Sequence, residues 1–144
     1  MMNCLLALLS VVLGLSFTPA GDYIVSVTAS GMTREEAIEN ARLTAVRTVL
    51  LEGIEANPEV RFPHQGSIAN SVNLREGGRE GIESFLADRK GIAGFVSLFP
   101  GDLPRFVKLK KGFRATVRLV VAKVALRREM ENRGYIKPLN NQLP

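Results

Sequence analysis

VTASGMTREEAIENARLTAV, residues 27–46, changes its period midway. Up to Ser30 apolar and polar side chains alternate, as in a half-buried strand. Beyond Thr33 the apolar residues recur every three or four positions, as in a helix. The alternation begins near Asp22: Tyr23, Val25, Val27 and Ala29 share one face, while Ser26, Thr28 and Ser30 take the other, with Ile24 the exception. Gly31-Met32 is expected to turn the chain. Thr33 is placed to cap the helix, with Glu36 three residues later completing a capping box and Met32 stapling onto Ala37. Glu35 and Glu36 also suit the positive end of the helix dipole. The helix is expected to run to about Glu52 and stop at Gly53. Ile38, Ala41, Ala45 and Val49 form its apolar stripe, with Ala37, Val46 and Leu50 beside it. Alanines let a helix axis approach a sheet closely, and Arg34, Glu39, Arg42 and Arg47 fall towards water. Since Thr33 and Glu36 occupy the helix start, the turn reads as the hinge of a strand–helix unit and not as a phosphate cradle.

Working outward, Pro58 and Pro63 break residues 54–78 into a loop, within which residues 67–74 fit either a short helix or a strand. A second helix is expected over residues 79–90, with Ile82, Phe85 and Leu86 inward and Gly91 ending it. Strands follow at 93–99, 105–110 and 113–125, the last two joined by a tight turn at Lys111-Gly112. The longest strand alternates Phe113, Ala115, Val117, Leu119 and Val121 against Arg114, Thr116 and Arg118. Its run Leu119-Val120-Val121-Ala122 is apolar on both faces, which points to a central or doubly covered strand. A short helix over 126–132 precedes Gly134, and residues 138–144 form a polar, flexible tail. The expectation is a single α+β domain over residues 21–137. Three to four antiparallel strands pack on the alanine-rich helix, with a second, shorter helix beside them.

The first twenty residues carry no charged side chain. Their apolar run, residues 5–15, has the length of a leader's hydrophobic region and falls short of the ~20 residues that span a bilayer. Thr18 and Ala20 put small side chains at the −3 and −1 positions, so residues 1–20 read as a signal peptide cleaved between Ala20 and Gly21. The leader lacks Lys and Arg, and an uncleaved anchor is the competing reading. Cys4, the only cysteine, precedes the apolar run, so it does not form a lipoprotein signal. Cleavage leaves a periplasmic or secreted chain without disulfides, held by its core alone.

Residues 103–144 hold eleven Lys and Arg against Glu129 and Glu131, a net +9, so the preceding residues carry −4 of the whole chain's +5. Lys108, Lys110, Arg114 and Arg118 are the candidate interaction surface within this basic part, and the loop at 57–73 is a second. A basic face fits an acidic partner, an anionic polymer or a membrane surface. Alternation with apolar residues also fits the ordinary solvated face of a sheet.

Catalytic patterns are sparse. The single histidine, His64, lies in the proline loop, and neither Gly-x-Ser-x-Gly nor Ser-x-x-Lys occurs. One histidine does not build a zinc site of three or four ligands. Carboxylates at 52, 55, 59, 76, 80, 83 and 88 leave glycosidase-type pairing open, although surface carboxylates are the ordinary state. REGGREG, residues 75–81, lacks the Lys-Ser/Thr of a phosphate loop. Phe106 and Phe113 beside Lys108, Lys110 and Arg114 have the makings of a base-stacking sheet, but Phe113 falls on the apolar alternation and export removes nucleic-acid partners. The expectation is a protein that is not an enzyme and needs no cofactor or metal.

The order of motifs carries a resemblance. YIVSVTASGM leads into TREEAIENARLTAVRTVLLEG, and GIAGFVSLF, GFRATVRLVVAKVAL and RREMENRG follow. This resembles the amino-terminal domain of the flagellar assembly protein T family and a related group of small envelope lipoproteins, over about residues 22–134. The resemblance implies an α+β domain with an antiparallel sheet on the alanine-rich helix. It also implies an assembly or interaction role in the cell envelope, with another envelope protein or a second copy as partner and no catalytic residues to carry over. The chain ends where the flagellar protein continues into further domains, and it has no lipobox cysteine.

Overall fold

The computed structural model describes residues 11–17, 22–53 and 66–138. Among these described residues are five strands: β1 (Val11–Phe17), β2 (Tyr23–Gly31), β3 (Val96–Leu98), β4 (Arg105–Lys108) and β5 (Phe113–Val121). Four α-helices accompany them: α1 (Arg34–Arg47), α2 (Gly78–Ala87), α3 (Arg89–Ala93) and α4 (Lys123–Asn132). All strand pairs are antiparallel. β5 lies centrally, paired with β2 along its whole length from Tyr23↔Val121 to Gly31↔Phe113. Its other edge is shared, with β4 on residues 113–116 and β3 on residues 119–121. β1 closes the far side of β2.

The expected antiparallel sheet on an alanine-rich helix is what forms. Tyr23, Val25, Val27 and Ala29 of β2 and Ala115, Val117, Leu119 and Val121 of β5 all point into one core. α1 packs over both strands, with Ala37, Ala41, Ala45 and Val46 fully buried. Three alanines at four-residue spacing keep the helix surface low, so the backbones come close. The Thr33 hydroxyl accepts a hydrogen bond from the Glu36 amide at 3.1 Å, as the cap requires. After Arg47 the helix widens into a π turn, Thr48–Glu52, that ends at Gly53 with φ +74°. Backbone amides further along the chain then donate to carbonyls at that end, from Ile68 to Val49 at 3.0 Å and from Ala69 to Leu50 at 2.9 Å.

Several expectations need correction. Gly31 does not form the turn: it is the last residue of β2, paired with Phe113, and Met32-Thr33 turn the chain. Met32 stays 47% exposed. The helix expected over 79–90 breaks at Asp88, whose extended backbone (φ −90°, ψ 95°) starts a separate turn of helix. That turn takes in Ala93, so β3 begins only at Val96. β5 ends at Val121, because Ala122 bends the chain and α4 begins at Lys123, burying Leu126 and Met130. Residues 67–74 are neither helix nor strand. They are turns held by Asn70 and Asn73, whose buried amide donates to the Ile68 carbonyl at 2.7 Å. Within the apolar run read as a leader and its flank, Val11–Phe17 lies as a strand against β2. His64, Cys4, the Ala20–Gly21 cleavage site, most of the 57–73 loop and most of the tail lie outside the described residues.

Candidate interaction surface

A strand that buries one face presents the other, and period two fixes which residues appear there. On β2 these are Ile24, Ser26, Thr28 and Ser30; on β5, Arg114, Thr116, Arg118 and Val120. Register places Ser26 opposite Arg118, Thr28 opposite Thr116 and Ser30 opposite Arg114. β4 adds Arg105 and Val107, opposite Thr116 and Arg114. Apart from buried Ser30, all of these residues keep solvent exposure. The buried apolar side chains of all four helices belong to the core cluster on the opposite face.

Local contacts order this face. The hydroxyls of Thr28 and Thr116 lie 3.1 Å apart in a cross-strand hydrogen bond. The Arg118 guanidinium sits 5.3 Å from the centre of the Phe99 ring, a cation–π contact that fixes its direction. Among the described residues, the outward positions named above carry Arg105, Arg114 and Arg118 and no carboxylate. In the helical layer, by contrast, Arg47 pairs with Glu83, Arg89 with Glu39, Arg127 with Glu131 and Arg133 with Glu129.

The four residues singled out by sequence divide. Arg114 and Arg118 share the open face. Lys108 stands opposite Phe113, at a helix-side register position on the sheet edge, and Lys110 lies in the β4–β5 turn. Sequence reasoning missed Arg105 and Val107, although alternation about Phe106 marks them. The aromatic residues proposed for base stacking lie on the helical side, where Arg34 sits 5.3 Å from the Phe106 ring centre and 5.2 Å from that of Phe113. Rings and open-face arginines are therefore on opposite sides of the sheet.

No family model, curated protein or solved structure matches the chain. The surface must be read from its own chemistry. Among the described residues no group of three or more His, Cys, Asp and Glu is placed to hold a metal ion. None of their helices is long and apolar enough to cross a membrane. Glu83, one of the carboxylates considered for catalysis, forms a two-pronged pair with Arg47, both bonds at 3.0 Å. That hydrogen-bonded guanidinium holds the Glu83 carboxyl below the usual carboxylate range.

Proposed function

We propose that this chain is a non-enzymatic, exported module of the cell envelope that docks another protein on the open face of its sheet. One observation carries the reading: four arginines of the helical layer pair with carboxylates, whereas the open face presents three arginines with no carboxylate among its outward residues. Such a face suits an acidic protein surface, with Ile24, Val107 and Val120 supplying apolar contact between the charges. The resemblance to the amino-terminal domain of the flagellar assembly protein T family supports an assembly role, and the uncharged leader-like start supports export.

Double charge reversal, Arg114→Glu with Arg118→Glu, is the test. Both positions are outward, so the variant is expected to fold while losing proteins that the native chain captures from envelope extracts. An unchanged set of captured proteins overturns the docking face. The same arginines favour a second reading, in which the ligand is an anionic lipid or cell-wall polymer. Polymer binding weakens steeply as ionic strength rises, whereas a mixed protein interface with an apolar centre keeps much of its strength.

A further inference from the structure

β1 fills one long edge of the sheet, and it lies within the twenty residues read as a leader. Its seven residues pair with β2 from Val11↔Thr28 to Phe17↔Tyr23, with a register shift between Val12 and Gly14. Opposite the core-facing Tyr23, Val25 and Val27 stand Phe17, Leu15 and Val12, all apolar. Cleavage after Ala20 removes this strand and leaves β2 at the edge. Nothing in β2 from Tyr23 to Ala29 blocks further pairing: the segment has no charge, proline or glycine. Tyr23, Val25 and Val27 are at most 2% exposed.

We infer that loss of residues 1–20 lets β2 pair with β2 of a second copy, so that the processed protein is a dimer joined edge to edge. The inference rests on the export reading above. Two features select a second copy as the occupant. β1 binds antiparallel, the orientation that a two-fold axis through paired β2 strands imposes. β2 also brings apolar Tyr23, Val25, Val27 and Ala29 at alternate positions, and the β1 residues in register with the first three are apolar as well. The axis stands perpendicular to the sheet. Both helical layers therefore lie on one side, and the two arginine-bearing faces join into one surface on the other.

The test uses protein exported by a bacterial host, its intact mass measured before its association state. The expected result is the mass of residues 21–144, a folded far-UV spectrum and sedimentation at twice the monomer mass. Full-length chain made without export is expected to sediment as a monomer, its edge filled by β1. A synthetic peptide of residues 11–17 is expected to convert the processed dimer to monomer. Loss of Cys4 with the leader leaves no thiol, so Ile24→Cys or Ser26→Cys reports β2 pairing by covalent dimer formation on oxidation. Ser97→Cys on β3 is the control that stays uncoupled. A processed, folded chain that remains monomeric overturns the dimer and leaves the export reading intact. A processed chain that is unfolded also overturns it, since β1 would then belong to the permanent fold. Retention of residues 1–20 overturns both the dimer and the cleavage.

Discussion

Gly31 and Gly112 show how a single missing Cβ sets the strand–helix corner. Gly31 lies so near the first turn of α1 that an added Cβ would fall 2.5 Å from the Ala37 amide nitrogen. Gly112, with φ +96°, would place a Cβ 2.2 Å from the Gly31 carbonyl oxygen. The two glycines let the β4–β5 hairpin, β2 and α1 meet at one point. Gly112→Ala combines an unfavourable backbone with a clash against rigid backbone, and is expected to destabilise by roughly 2–4 kcal/mol in urea unfolding. Gly101→Ala, at φ +81° with nothing within 4 Å of the added Cβ, is expected to cost only about 1 kcal/mol. Equal midpoints for the two variants would show that the corner yields. A second residue-scale prediction concerns Asn73, 3% exposed, whose side chain donates to Ile68 and accepts from Asn70. Asn73→Ala strands both partners and is expected to cost about 1–3 kcal/mol, read from the same unfolding curves.

At the scale of elements, α1 depends on its low alanine face. Ala41→Leu inserts a branched side chain where none fits, and a loss of about 1–3 kcal/mol with an unchanged urea slope is expected. α1 is also tied to α2 by Arg47 and Glu83. Because Glu83 is held below its ordinary range in the folded state, the pair's contribution is complete above the unfolded carboxyl value and fades as pH falls through the lower folded one. Both side chains are about 40% exposed, so screening limits the effect to within about 1 kcal/mol. The stability gap between native chain and Glu83→Gln is accordingly expected to narrow below about pH 4, and a constant gap would exclude the linkage. β2, α1 and β5 were legible in the sequence because each is long, keeps one period and buries one face. Arg114 and Arg118 fall on the open face for that reason. Lys108 does not, because β4's own alternation puts Lys108 with Phe106 on the helical side and Arg105 and Val107 on the open one. The break at Asp88 and the end of β5 are not legible in the sequence, since packing decides them: Leu126 and Met130 reach the core only if the chain turns at Ala122. β1 was illegible for a different reason, since an apolar leader and an apolar edge strand make the same demand on composition.

For the molecule as a whole, the central strand arrives late in the chain. β5 pairs with β2, β3 and β4, and its pairing with β2 joins residues some ninety positions apart, as in Val27↔Val117. Before Phe113 is available, β3 and β4 have no sheet partner and β2 has only β1. Contacts of such sequence separation close slowly and reward the chain only when both partners are present. On the export reading this order is useful, because a chain that crosses a membrane from its amino terminus stays unfolded until nearly all of it has passed. A chain ending at residue 112 is therefore expected to lack cooperative structure, with a flat urea profile by circular dichroism, whereas the full chain unfolds in one transition. Val117→Ala in the full chain removes two methyl groups from the centre of the sheet and should lower stability by about 2 kcal/mol. A sigmoidal unfolding curve for the 112-residue chain would mean that β2 and α1 hold a core without β5, and late closure would then not describe how this protein folds.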